Sequence, residues 1–487
     1  MRGRAPRASA AVFERGGSGF RYVILGVAGS KVAAQLNRFP DGHGLLRAPH
    51  TNLGVTCWRA KSVEALPLIA ACDLGSLPIM DITQACRDMF ANHRVEAFGG
   101  AFHVPAAREY SCLFSWDSGY HALAMSHLDR ATAWEELRIL YAANTTDQGL
   151  LAHERPMPGA EARTKLVVEW LGPIYRPDGR SWLIDPPVGA FAVARLYAKA
   201  LDPKATLLRA ATTQLEATRR HRTLTPGIVP VILHPLESGA DASPLYDAIV
   251  DGSSRRNLLS HHRGLSETLE AAAYDPAAAR KKGHSFIVSD PIFCGWYLLA
   301  LEELADAWRR AGDTGRADRL DARAERLTEA LIAELWCEDL QIFVGYDHVN
   351  QRQLKVATLG GIILAASRNV IKTGLSAKVI ASHLSPATSR FWGPCGVAFN
   401  LLDGREILPN ALLWRGDVVW GATQYWAYLV LARNGHDALA TKARDQLQAL
   451  IVQSGFREYY SAATGKGFGA GGEGGFTWPA LVLDMTV

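Results

Sequence analysis

The segment from Ser289 to Leu335 holds two consecutive helical patterns of opposite kind, and this contrast constrains the fold more than any other feature of the chain. Ser289-Asp290-Pro291 supplies a residue able to cap the orphan amides and a proline suited to the first helical position. The pattern runs through Ile292, Phe293, Trp296, Tyr297, Leu301, Leu304 and Trp308, apolar almost all round. It stops near Gly312, a residue type that readily takes a left-handed C-terminal cap. Its successor places Leu320, Ala324, Leu327, Leu331 and Leu335 on one face, with Arg316, Asp318, Arg323 and Glu325 elsewhere. A helix apolar around its girth must be enclosed by protein, whereas a striped one borders water. The alternation predicts an inner and an outer layer of helices.

Comparable stretches are expected around 81–95, 118–143, 161–173, 186–222, 354–382, 416–451 and 475–484, with irregular segments at 223–260 and 384–413. No strict short repeat marks a solenoid, and no regular strand and helix alternation marks a parallel sheet. An all-α closed toroid of paired helices fits best, although periodicity alone does not separate it from an open helical array. With 48% hydrophobic and 21% charged residues in 487, the composition is that of a soluble globular chain and excludes disorder, collagen and coiled coil. The longest apolar runs, Tyr22 to Gly29 and Ala65 to Cys72, fall short of the roughly 20 residues a membrane helix needs. Seven scattered cysteines without a CxxC pair predict neither a disulfide framework nor a structural zinc site, and point to a reducing, cytoplasmic compartment. No ligand spacing stands out at His121, His153, His234, His261 or His262, so no metal and no cofactor is expected.

The net charge of +4 is uneven, because residues 1–62 hold ten Lys or Arg against only Glu14 and Asp41. Residues 1–79 are read as a basic, dispensable leader upstream of a natural start near Met80. A nucleic-acid or membrane tether is the weaker alternative. Arg2, Arg4 and Arg7 before VILGVAG imitate a secretory signal poorly, and Gly26, Gly29, Ser30 and Lys31 lack the spacing of a phosphate-binding loop.

Chemistry is concentrated in four phrases. In Tyr110-Ser-Cys-Leu-Phe114-Ser-Trp116-Asp117-Ser118, aromatic rings crowd a carboxylate at a helix start. Aromatic faces stack on the apolar side of a pyranose, and a carboxylate accepts from neighbouring hydroxyls. An Asp capping a helix beside core aromatics explains the same residues. The second phrase, His234-Pro-Leu236-Glu237-Ser238-Gly239-Ala240-Asp241-Ala242-Ser243-Pro244, sets carboxylates among apolar and small residues. Desolvation there would raise a carboxyl pKa, as a proton donor requires, though Asx turns account for acids before proline equally well. The third, Leu413-Trp414-Arg415-Gly416-Asp417-Val418-Val419-Trp420, opens a helix continuing through Gln424, Tyr425 and Trp426, and its indoles suit a sugar platform or a core. The fourth sets Glu458 between aromatics in Gly455-Phe456-Arg457-Glu458-Tyr459-Tyr460, ahead of Thr464-Gly465 and Phe476-Thr477-Trp478. Gly467, Gly469 and Gly472 formally satisfy GxGxxG but lack the strand and helix of a dinucleotide site, so a loop closing over a pocket or a surface turn is expected.

In this order, over about residues 80–487, the phrases resemble glycoside hydrolase family 63, in particular its bacterial branch of mannosylglycerate and glucosylglycerate hydrolases. The resemblance implies an (α/α)6 barrel and hydrolysis of an α-linked glucoside or mannoside with inversion. It makes Asp241 the general acid and Glu458 the general base, their carboxyls roughly 6.5 to 9.5 Å apart to admit a water. Asp117 and Trp116 then grip the sugar, and Tyr110, Phe114, Asp185, Glu237, Trp414, Arg415, Trp420 and Trp478 complete the substrate-binding set. Three departures touch specificity: Leu236 stands where the family has tryptophan, Asp185-Pro186-Pro187 where it has Q-P-P, and Asp417 where it has proline. They change stacking and add negative charge, opposing an anionic aglycone such as glycerate unless Arg163, Arg415 or Arg457 compensates. The partner expected is a small sugar glycoside, with no nucleic acid and no membrane, and homo-oligomerisation stays open. The runner-up functions are a trehalase or oligosaccharide α-glucosidase, and a non-catalytic sugar-binding protein.

Overall fold

The computed structural model describes residues 9–14, 21–27, 30–38, 44–47, 80–402, 413–472 and 474–486. The basic opening from Arg2 to Arg7, Cys57, Cys72 and residues 403–412 of the second expected loop lie outside the described residues. The chain divides into two units, Met1–Leu77 and Pro78–Val487. In the first, β1 (Ser9–Glu14), β2 (Arg21–Val27), β3 (Ser30–Arg38) and β4 (Gly44–Arg47) form an antiparallel meander in chain order. Gly26 lies in β2 and Ser30 and Lys31 open β3, so these residues belong to strands and not to the helix N-terminus that a phosphate loop uses.

The second unit is mostly helical: α1 (Ile82–His93), α2 (Ser115–Met125), α3 (Arg130–Asn144), α4 (Glu161–Leu171), α5 (Val188–Leu196), α6 (Thr206–His221), α7 (Arg255–Ala271), α8 (Pro276–Lys281), α9 (Pro291–Ala311), α10 (Thr314–Leu335), α11 (Arg368–Lys372), α12 (Leu375–Val379), α13 (Gly421–Arg433) and α14 (Asp437–Ser454). Asp290 caps α9 as its sequence predicts. Its Oδ1 accepts from the amides of Ile292 and Phe293, both at 2.9 Å, while the Tyr246 hydroxyl donates to Oδ2 at 2.7 Å. Gly312 closes the helix at φ 92°. Every residue of α2 is buried, and α5, α9 and α13 are nearly so, whereas α10 buries only the stripe through Leu320, Ala324, Leu327, Leu331 and Leu335. Two layers follow. Inside, α2 packs on α5, α5 on α9, α9 on the 3-10 segment Leu359–Ala366, that segment on α13, α13 on the 3-10 segment Trp478–Asp484, and this last on α2 again. Outside, α3, α6, α10 and α14 cover α2, α5, α9 and α13 respectively.

Several segments depart from expectation. Residues 354–382 are not one long helix: Leu359–Ala366 is a 3-10 segment in which Gly360 lies close against Ile292 and Gly361 close against the Phe343 carbonyl, an approach that a Cβ would block. Gly374, at φ 81°, then separates α11 from α12. Residues 255–260, expected to be irregular, open α7, which Ser254 caps and which buries Leu258, Leu265 and Leu269. Short strands join the helices: Val418–Trp420 stands at the start of the 416–451 stretch expected to be helical, and Tyr459–Ser461 follows its end. Among the described residues, no helix is long and apolar enough to cross a membrane, and Cys86, Cys112, Cys294, Cys337 and Cys395 are free thiols.

The α2 and α5 helices meet backbone to backbone. A Cβ built on Gly119 would lie 2.8 Å from the Gly189 nitrogen and the Val188 carbonyl carbon, neither of which can move aside. Gly119→Ala should destabilise the unit by about 1–3 kcal/mol through overpacking, read as a fall of several degrees in the melting temperature. Gly315→Ala, in the open first turn of α10, should leave it unchanged or slightly raised.

Candidate active site

The strand Cys112–Phe114 pairs antiparallel with Glu154–Pro156, setting Phe114 opposite Glu154, and the chain turns directly from Phe114 into α2. Trp116 and Asp117 therefore occupy the first helical turn. The cap alternative for Asp117 is not realised: Phe114 holds the N-cap position, and Asp117 Oδ1 accepts instead from the Trp478 indole N–H at 2.7 Å. Trp116, Asp117 and Trp478 line an open-mouthed cavity.

The phrase around Asp241 reaches this cavity through a short 3-10 turn, Pro235–Ser238, ended by Gly239 at φ 75°. A Cβ on Gly239 would run into the Trp116 indole, so glycine lets the loop lie directly on that ring. Asp241 stands on the cavity wall, and burial pushes its carboxyl up to about 6. Glu458 precedes the strand Tyr459–Ser461, whose Tyr459 pairs with Trp420 of Val418–Trp420. Its Oε1 accepts from the Tyr110 hydroxyl at 2.8 Å and its Oε2 from the Ala470 amide at 2.6 Å. Burial raises the Glu458 pKa, and these two donors pull it back. Asp117 is pushed up to about 8 by burial and then by the charge of Asp185, against the Trp478 bond.

The remaining wall is aromatic. Trp414 and Trp420 stack with centroids 4.1 Å apart, and Trp116 meets Trp478 edge to face at 5.1 Å. Trp414 has φ 64°, a strained conformation for a bulky residue, held where the ring stack needs it. Tyr110, Phe114, Trp116, Asp117, Asp241, Trp414, Trp420, Glu458 and Trp478 are thus brought together on one cavity.

Asp185, Glu237 and Arg415 are not on its wall, and each is engaged by other groups of the protein. Glu237 is fully buried and receives Arg222 Nη2 at 2.7 Å, the Leu233 amide at 2.7 Å and the Ile184 amide at 3.1 Å, so both oxygens are occupied in holding the loop before Asp241. Asp185 accepts from the Trp116 amide at 3.1 Å and ion-pairs with His153 Nδ1. Arg415 forks onto Asp247, with Nη1 2.9 Å from Oδ2. Asp417, expected to add charge to the pocket, is buried off the wall, its carbonyl accepting from Ala462. Of the three arginines able to balance an anion, only Arg163 lines the cavity.

The structure adds wall residues that sequence reasoning missed. His153 and Glu154 arrive through the strand pairing, Val167 and Leu171 from α4, and Ile174 and Leu413 from the turns beside them. Burial works against a charge on His153, but the adjoining Asp185 carboxylate raises its pKa. Only the α4 pattern Arg163, Val167, Leu171, one residue per turn, was a readable signal. Among the described residues, no group of three His, Cys, Asp or Glu side chains converges to hold a metal ion.

A family model described as a mannosylglycerate hydrolase MGH1-like glycoside hydrolase domain matches residues 110–479. The chain is 27% identical to the mannosylglycerate hydrolase of Rubrobacter radiotolerans over 423 residues, 80% of this chain and 93% of that one. It is also 27% identical to a mannosylglycerate hydrolase of Thermus thermophilus over 429 residues, covering 79% and 96%. A crystal structure of the GH63 mannosylglycerate hydrolase from Thermus thermophilus with Tris and D-glycerate shares the fold at a TM-score of 0.67 and 22% identity, covering 83% of this chain and 99% of that one.

The Arg222–Glu237 pair is dry, both side chains being at most 1% exposed. Arg222→Met should cost about 3–5 kcal/mol by stranding a buried carboxylate, and Arg222→Met with Glu237→Gln should recover part of that loss. Thermal unfolding of the three proteins measures it, and equal melting temperatures for the single and double variants would show that the pair is not coupled.

Proposed function

Because the chain belongs to the mannosylglycerate hydrolase MGH1-like glycoside hydrolase family, we propose that it hydrolyses the α-glycosidic bond of a small glucoside or mannoside with inversion, Asp241 acting as general acid and Glu458 as general base. One observation carries the reading: two carboxyls 217 positions apart in sequence share one aromatic cavity in different environments. Asp241, raised by burial, is suited to hold a proton. Glu458, fixed by two donors to its two oxygens, is suited to accept one. In the proposed step Asp241 gives its proton to the glycosidic oxygen as the bond to C1 breaks. Water attacks C1 from the opposite face and loses a proton to Glu458. Asp117 and the Trp116, Trp414, Trp420 and Trp478 rings would hold the sugar, and the buried Trp420 indole N–H, without a hydrogen-bond partner among the described residues, is available to a hydroxyl.

The same reading takes the circuit of six inner elements as an (α/α)6 barrel and assigns catalysis to residues 80–487, since the cavity wall runs only from Pro105 to Trp478. Deletion of residues 1–79 is then expected to leave kcat/KM within about twofold.

Asp241→Asn and Glu458→Gln should each lower kcat by about 10²–10⁴-fold or more with an unchanged melting curve. Proton NMR of the first-formed sugar should show the β-anomer. A retained α-configuration would refute inversion, and no product from any α-glucoside or α-mannoside, glycerate glycosides included, would leave a sugar-binding protein. The pH profile of kcat/KM has a definite sign: activity falls on the alkaline side as Asp241 loses its proton near 6, and on the acid side as Glu458 gains one. Tyr110→Phe removes a donor that favours ionised Glu458, so the acid limb should move to higher pH.

A further inference from the structure

From the apolar lobe that Leu236, in the loop carrying Asp241, forms with three other cavity residues we infer that the leaving group is an apolar alcohol, so that the substrate is an α-glycoside with an alkyl-like aglycone. The inference rests on the assignment of Asp241 as proton donor, because that assignment fixes which part of the cavity wall receives the leaving group.

The cavity wall draws on two separate apolar clusters, one rich in rings and one holding aliphatic side chains. Glu458, Phe476, Trp478, Trp420 and Asp117 offer ring faces and carboxylates, the groups a pyranose uses. The other part of the wall is aliphatic. Leu236 stands five positions before Asp241 in the same loop and packs with Val167, Leu171 and Ile174 in one apolar cluster, and all four line the cavity. Leu236 belongs to the loop that carries Asp241, so a substituent leaving on that side would meet these four aliphatic side chains, which give a hydroxyl or a carboxylate nothing to bond. On the flanks of the same helix α4, Leu166, Val168 and Trp170 are 41, 38 and 39% exposed, so apolar surface continues beyond the lobe itself.

The charges nearby are already committed. Arg163 lies against Glu154, with Nη2 2.9 Å from Oε2 and Nη1 3.4 Å from Oε1, while Nη1 also donates to Cys112 Sγ at 2.7 Å and the guanidinium sits over the Phe114 ring at 5.6 Å. Tyr175 donates to the same Glu154. His153 is bound to Asp185. An anionic aglycone would have to compete with Glu154 for Arg163 and with Asp185 for His153. An alkyl chain needs neither cation and gains from every methylene it removes from water.

The test compares kcat/KM of the full-length enzyme on methyl, n-octyl and 2-O-glycerate α-glucosides and α-mannosides, the octyl compounds kept below micelle formation. Methanol and octanol are leaving groups of nearly equal basicity, so their ratio reports binding. The octyl glycoside should exceed the methyl glycoside by about 10–100-fold and should also exceed the glycerate glycoside. In Leu171→Asn and in Val167→Asn the octyl-to-methyl ratio should fall at least about fivefold, and since α4 has no buried residue both variants should fold. Equal rates for octyl and methyl, or the glycerate glycoside as best substrate, would overturn the inference while leaving the hydrolase reading intact. If no glycoside turns over, the hydrolase reading fails separately. Calorimetric binding of the octyl and methyl glycosides then decides the aglycone question, tighter octyl binding supporting it and equal binding overturning it.

Discussion

A carboxylate taken out of water must find a cation, a set of donors or a proton, and the second unit depends on how each buried acid meets that demand. Glu237 has Arg222, Glu154 has Arg163, Asp185 has His153, and Glu136 sits between His103 at 2.9 Å and His121 at 3.3 Å. Burial disfavours the Glu136 charge, yet the two imidazoles hold its pKa down to about 2. Asp241 and Asp117 line the cavity, where the His153 charge lowers both but burial outweighs it and both are raised. The contrast is one of position: Glu237 and Glu136 hold the framework, while Asp241 and Asp117 line the cavity.

The framework acids also position the others. Glu237 ties the strand-like segment at Leu233 and the turn at Ile184 to the loop that carries Asp241. Asp185 fixes the backbone of Trp116 and holds His153 beside Phe114, whose ring lies 5.7 Å from the imidazole. His121 joins Glu136 to the Thr477 hydroxyl at 2.7 Å, one residue before the indole that bonds Asp117. Loss of one of these bonds would reach the wall of the cavity at Trp116, Asp117 or Trp478 through at most a single intervening side chain.

This division of labour explains what could be read from the residues in advance. The burial contrast between α9 and α10 was legible because it is local: periodicity reports how much of a helix is covered. The acids and rings of the cavity were legible because their phrases resemble a known family. What a phrase cannot reveal is direction. Glu237 and Asp241 lie four positions apart in one loop, and the sequence does not say that one turns inward to Arg222 while the other faces the cavity. His153 was invisible for a related reason, since its partner Asp185 is 32 positions away. The helix α7 carried a cap at Ser254 and leucines at 258, 265 and 269, but two histidines and Gly264 diluted the stripe.

The two proposed catalytic carboxyls are placed by the same local device, a glycine in the left-handed region whose missing Cβ lets a loop close on its neighbour. Gly239, at φ 75°, rests against Trp116 two residues before Asp241. Gly469, at φ 86°, rests against the Glu458 side chain, and the next amide, Ala470, donates to Oε2. Any side chain at either position would meet both an unfavourable backbone conformation and a direct collision. Of the glycines that formally satisfied GxGxxG, Gly469 thus serves a carboxylate of the protein itself. A backbone N–H cannot titrate, so it can favour the ionised form of Glu458 at every pH without competing for the proton that a base must collect.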